Sequence, residues 1–388
     1  MGLPTIIISG INIIPLAIDF VNFYALYLAI AASLNLEFGY GGVPNFGKVL
    51  FIAGGAAVAA QTGRLAAAAL NIGTNLDFIT FNARIVTQVN TQLVSNPLLA
   101  IELVAFALPV AALVGAVLGW IFSYPAIRLR EDYLGLLLLG MAQLFNVILR
   151  TYPPLMGGAQ PIFVPDIYVY FSTLGLDVRD LAAAVVMVVF AVAVYLYVER
   201  TVRSPLGRTL RAVRDNDKAA QALGKDPAKL RRNVLIVSSA LAAMAGAMYT
   251  FSVASAEYDT WTRFAWTFWP FLIVIIGGVA NNAGVAVGTF FFTLIFRGLQ
   301  TEQQYLQPYV FFNVNYLQDF LLAGLLLAIL YIRPDGILRE KPTRTLSKGT
   351  VLKLIGKGGT EEGGGQGLIG RVASRLKRGS RRTQPANE

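Results

Sequence analysis

A chain of 388 residues that is 55% hydrophobic and only 14% charged, with mean hydropathy +0.59, carries more apolar residue than a water-soluble core of its size needs. It has no cysteine and no histidine, which excludes disulfides, thiol nucleophiles, Ser-His triads and Cys/His metal sites. The net charge of +10 sits in clusters beside apolar runs, so it marks membrane topology rather than nucleic-acid binding.

Residues 1–17 read as an apolar N-terminal extension, with no basic residue ahead of the apolar run as a signal peptide would need. An N-terminal transmembrane half over 18–198 follows, with spans expected at 18–36, 49–70, 97–122, 133–149 and 180–198. A Gly-rich turn over 37–48 contains Asn45-Phe46-Gly47 and then Lys48. The third span carries Ala111, Gly115 and Gly119, a small-xxx-small ladder on which another helix can pack closely. Residues 71–96, a polar Asn-rich loop, and residues 151–173 are expected to face outward. Gln143 and Asn146 are uncharged polar residues inside the fourth span. They serve either as hydrogen bonds between helices or as lining for the path of a zwitterionic solute.

Residues 199–232 are the one long polar interruption, with ten Lys or Arg and four Asp or Glu. So much positive charge between spans places this loop in the cytoplasm. Leu206, Leu210 and Val213 fall on one helical face, with Arg208, Arg211 and Arg214 on the other. Asp215 is expected to cap a second short helix that Gly224 ends as its left-handed residue, and Asp226-Pro227 restarts the chain. Two readings stand: an amphipathic loop resting on anionic lipid, or a docking element for a soluble partner.

The C-terminal transmembrane half, 233–338, holds spans at 233–251, 265–279, 283–299 and 316–332. The second of these is short enough to leave a re-entrant path open. Gly277-Gly278 followed by Asn281 and Asn282 reads either as a broken helix lining a cavity or as tight packing through Gly284 and Gly288. Residues 339–388 are a Gly-rich, then basic tail, expected to be flexible and cytoplasmic and to rest on anionic lipid. Counting Lys48, Arg128, Arg130, the loop and everything from Arg333 onward as inside leaves six of the 32 basic residues outside, a 26-to-6 bias. The whole is expected to be all-α and polytopic, with about 8–10 transmembrane helices. Asp19, Glu102 and Asp319 lie near span ends, as interfacial carboxylates do. No P-loop is present.

The run RSPLGRTLRAVRDNDKAAQALG, the stretch ALAAMAGAMY, the pair Gly277-Gly278 and the ending Arg333-Pro334-Asp335-Gly336-Ile337-Leu338 resemble, in that order, the permease subunits of branched-chain amino acid ABC importers. ABC permeases carry a Glu-Ala-Ala, three residues, then Gly pattern where the ATPase docks. Ala219, Ala220 and Gly224 keep that spacing, with Lys218 in the Glu position. The resemblance implies ATPase docking through Leu206, Leu210, Val213, Ala219, Ala220 and Gly224. Together with the polar Gln143 and Asn146 of the fourth span, the resembling residues Asn45, Gly277 and Gly278 are the candidates for a translocation path. The resemblance also implies partners: a second related permease, two cytoplasmic ATPase subunits that use ATP and Mg, and an external solute-binding protein. The chain itself is expected to bind no cofactor or metal and to be no enzyme, to contact membrane lipid and not nucleic acid, and to lie in the cell membrane. The alternative is an ion- or proton-coupled secondary transporter of a small polar solute.

Overall fold

The computed structural model describes residues 7–8, 11–73, 76–128, 131–301, 314–333 and 335–340; the tail 341–388 and Arg130 lie outside the described residues. Apart from two short strand pairs, the ordered elements are helices, because nearly every segment buried in a bilayer must satisfy its backbone within itself. A hairpin of β1 (Ile7–Ile8) and β2 (Ile11–Asn12) precedes α1 (Ile13–Leu34), so the first helix begins ahead of the expected residue 18. A six-residue π-turn, Asn35–Tyr40, ends it. Then come α2 (Lys48–Ala69), α3 (Asn82–Ser95), α4 (Leu98–Arg128), α5 (Glu131–Thr151), the single turn α6 (Pro153–Met156), β3 (Ile162–Phe163) and the single turn α7 (Val169–Ser172). Helix α8 (Leu176–Arg203) leads into the loop helices α9 (Pro205–Asp215) and α10 (Asp217–Ala222). The chain closes with α11 (Pro227–Val253), β4 (Ser255–Ala256), α12 (Trp269–Gly277), α13 (Asn282–Thr301) and α14 (Val314–Ile332). Among the described residues seven helices are long and apolar enough to cross a membrane, and Phe264–Gly277 and Phe320–Ile332 are shorter apolar helices.

The core is the crossing of α2, α4 and α11, the first and last of which are mostly enclosed by the rest of the chain. Small residues make the crossing close. A Cβ on Gly115 would stand 2.5 Å from the Ser239 carbonyl oxygen, and one on Gly119 2.9 Å from the Ser239 side chain. The ladder on α4 therefore packs on α11.

One end of the helices carries a cap. The pairing of Ile162 with Ala256 and Phe163 with Ser255 joins the loop before α8 to the loop after α11. Helix α3 seals that cap: Asn82 exchanges hydrogen bonds with the Phe163 backbone, and Asn90 Oδ1 accepts from Asp166 N at 3.0 Å. The segment expected as a plain polar loop thus holds an amphipathic helix, with Ile85, Val86, Val89 and Leu93 buried. At the same end Asp19 pairs with Arg297 at 3.2 Å.

Candidate functional site

The opposite end carries the platform of α9 and α10. Ser204 starts α9 by accepting from Leu206 N, with Pro205 as the first helical residue. The cap between the two helices is Asn216, whose side chain accepts from Ala219 N at 3.0 Å. The expected cap, Asp215, is instead the last residue of α9, where it accepts from Arg214. Gly224 ends α10 at φ +74°, and Asp226 caps α11 by accepting from Lys229 N.

The expected docking face requires correction. Leu210 and Val213 are each only 1% exposed, covered by this chain's own helices, so they fasten the platform rather than greet a partner. Hydrophobic spacing shows that a helix has an apolar face but not which neighbour covers it. Ala220 is buried as well, whereas Leu206, Ala219, Leu223 and Gly224 are exposed. The platform residues left exposed include Leu206, Ala219, Leu223 and Gly224, and Arg208, Lys218 and Lys225 are exposed as well.

Ionic contacts hold the platform in place. Arg214 donates to Gly39 O at 2.6 Å and to Glu340 Oε2 at 2.9 Å. Arg211 lies over the Tyr40 ring at 5.1 Å and within 3.5 Å of Glu340. Half-burial works against the charge on Arg214, yet the bonds from Glu340 and Asp215 raise its pKa overall, so the anchor stays ionised. Arg231 pairs with Asp217 at 3.0 Å and ties α10 to α11.

Residues 335–340 close the helix break beside this platform. Ile337 N donates to Ile276 O and Leu338 N to Gly277 O, while Asn281 Nδ2 donates to the carbonyls of Leu338 and Arg339. Gly278 takes φ +117°, and a Cβ on Gly277 would overlap Gly284 O. Gly277 and Gly278 are thus packed against backbone and line none of the cavities described below. The packing alternative holds.

Asn45 is fully enclosed too. Its Nδ2 donates to Glu37 Oε1 at 3.2 Å and its Oδ1 accepts from Gly47 N, so it shapes the turn, and it lines neither of the cavities described below. The same carboxylate accepts from Lys48 Nζ at 2.9 Å, and Lys48 also donates to Ser238 Oγ at 2.6 Å. Both charged side chains are 0% exposed. Lys48 therefore balances a buried acid and drops out of the topogenic count.

Gln143 and Asn146 do meet in one place. They line a cavity of about 490 Å³ together with Asp259, Trp261, Thr262, Arg263, Phe264 and Phe268. Asn146 also braces the cavity wall by donating to the carbonyls of Tyr258 and Trp261. Phe264 and Phe268 also line a second cavity of about 450 Å³, with Phe38, Phe46, Trp269, Phe271, Leu272, Ile275, Leu322, Ala323 and Leu326. The two cavities follow Phe264–Gly277 from the cap end toward the helix break. No sequence pattern announced this aromatic lining, because its residues come from two stretches far apart in the chain, 38–46 and 261–271.

An all-α body of apolar helices, with an anchored platform at one end and adjoining cavities along one helix, defines a multi-pass membrane transport subunit. A family model described as branched-chain amino acid transport system, permease component, matches residues 16–330, and the chain belongs to that family. It is a transport subunit and not an enzyme. It is 36% identical to the "Probable branched-chain amino acid transport permease protein LivM" of Methanocaldococcus jannaschii, over 86% of this chain and 96% of that one. It is 24% identical to the "High-affinity branched-chain amino acid transport system permease protein LivM" of Escherichia coli, over 63% of this chain and 60% of that one. No solved structure matches the chain.

Proposed function

We propose that the chain is a membrane-spanning subunit of an ATP-binding cassette importer for branched-chain or related amino acids. The observation that carries the reading is the adjoining pair of cavities: one has amide and charged groups suited to a zwitterionic head, the other a wall of aromatic and aliphatic side chains suited to an apolar side chain. Gln143 and Asn146 are the path residues retained in this reading. The partners are a second related permease, an external solute-binding protein and two cytoplasmic ATPases that use ATP and Mg²⁺, docked on Leu206, Ala219, Leu223 and Gly224. An ion-coupled transporter would need an intramembrane carboxylate that exchanges protons or ions with a cavity. The carboxylate that lines the first cavity, Asp259, belongs to the loop after α11 and not to a span, and the enclosed Glu37–Lys48 pair lines neither cavity, which favours the ATP-driven reading.

The test is leucine uptake into vesicles carrying the reconstituted complex. Uptake is expected to require ATP. Gly224→Ala carries only the strain of the left-handed backbone, about 1–2 kcal/mol, whereas Gly224→Leu adds bulk to the open face of the platform. The Leu variant is expected to lower solute-stimulated ATP hydrolysis by about tenfold or more, a loss of about 1.4 kcal/mol or more in docking, and the Ala variant by much less. Uptake driven by an ion gradient without ATP, indifferent to Gly224→Leu, overturns the assignment.

In this reading the platform and tail are cytoplasmic and the cap is external, in accord with the bias of basic residues. Single cysteines can be placed in this cysteine-free chain at Gln92, exposed on α3, and at Lys225. An impermeant thiol reagent on intact cells is expected to label the Gln92→Cys protein and spare the Lys225→Cys protein. The opposite pattern inverts the topology.

A further inference from the structure

The π-turn Asn35–Tyr40 links the helix break, the start of α2 and the platform helix α9. Asn35 accepts from Ala280 N at 3.0 Å and donates to Asn282 Oδ1 at 2.8 Å, holding the helix break. Glu37 holds the start of α2 through Lys48. Gly39 O accepts from Arg214, and the Tyr40 ring lies under Arg211. Five of the six residues are buried; the exception is Phe38, which lines the apolar cavity and meets Phe271 edge-on at 5.0 Å.

A π-turn holds one residue more than an α-turn, and such turns occur as single-turn features at functional sites; this one ends α1 and leads directly into the loop 41–47. Shifting its hydrogen bonds by one residue returns it to α geometry and rotates the residues beyond it by about 100° about the axis. Such a re-registration would supply the two discrete arrangements that coupling between distant sites requires. Gly39 has no freedom to move alone, since a Cβ there would overlap Asn35 Oδ1 and stand 2.7 Å from Ala280 N. A pull on its carbonyl through Arg214 must displace the turn as a unit, and Phe38 is the adjacent residue.

We propose that Phe38 is the gate at the platform end of the transport path, and that the platform moves it through the bond from Arg214 to Gly39. This rests on the reading of the two cavities as the path. The group passing it is the apolar side chain of the amino acid, which the cavity walls fit by contact rather than by hydrogen bonding.

The complete complex, reconstituted with Phe38→Cys as its sole cysteine in this chain, tests the proposal by the rate of thiol modification. The rate is expected to change at least fivefold between the nucleotide-free complex and the complex trapped with ATP and vanadate. Adding Arg214→Gln is expected to remove most of that change while the ATPases still co-purify. A Leu326→Cys reporter, on the same cavity with Phe38 intact, repeats the measurement where the Phe38 variant fails to assemble. Rates equal within twofold in both states overturn the gate, as does a full nucleotide response that survives Arg214→Gln. Leucine is expected to slow modification of Phe268→Cys at the far end. If leucine protects Phe268→Cys but nucleotide leaves Phe38→Cys unchanged, the path stands and the gate falls. If leucine protects neither thiol, the path reading falls and takes the gate with it.

Discussion

Gly55→Val is expected to abolish recovery of folded protein, and Gly246→Val to do the same. A Cβ on Gly55 would overlap the carbonyl of Ala243 across the α2–α11 crossing, and one on Gly246 would overlap the carbonyl of Ile52. The obstacle in each case is backbone, which no side-chain rotation can move aside. Overpacking of a well-filled core costs about 1–3 kcal/mol where side chains can shift, and here the helices themselves must separate. Gly140 and Gly298 are the controls, because a Cβ there meets nothing within 4 Å. Size-exclusion of each variant in detergent decides the matter: a Gly55→Val protein as monodisperse as Gly140→Val would show that the crossing is not the structural centre.

Lys48→Met is expected to destabilise the protein by about 3–5 kcal/mol, since it strands the Glu37 carboxylate in an enclosed site. One oxygen of that carboxylate, Oε2, already has no hydrogen-bond donor among the described residues. Adding Glu37→Gln to Lys48→Met removes the stranded charge, so the double variant is expected to regain most of the loss. In thermal melts the single variant should fall by on the order of 10 °C. A single variant that melts with the parent would show that the pair carries no stability, and a double variant no better than the single would show that charge balance is not the cause.

Much of this architecture is legible in the sequence. Among the described residues apolar runs locate nine helices, some to within a residue, as with the expected span 49–70 against Lys48–Ala69, and others up to six residues short, as with 233–251 against Pro227–Val253. Gly224 and Asp226-Pro227 announce the end of α10 and the start of α11, because a left-handed residue and an acidic cap leave chemical marks. Helix α3 was also readable: Ile85, Val86, Val89 and Leu93 follow helical spacing inside an Asn-rich segment whose composition suggests a loop.

What periodicity does not carry is partnership. Lys48 looks like a topogenic loop charge until the turn folds it back onto Glu37. Leu210 and Val213 look available until α9 lies down on its own chain. The π-turn has no sequence mark at all, for its residues would serve an α-turn equally well. Of the candidate path residues, only Gln143 and Asn146 share a cavity; its aromatic neighbours Trp261, Phe264 and Phe268 come from a single stretch more than a hundred residues further along the chain.

The pair between Arg214 and Glu340 spans 126 residues of chain. At about 5–20 residues per second of synthesis, the platform waits roughly 6–25 s after Arg214 is made before its clasp exists. During that interval α9 is held only by the earlier segments, and the closing strap over Gly277-Gly278 is missing. A chain stalled before its last described residues would present an unfastened platform, so attachment to that platform also reports that synthesis has passed the final span.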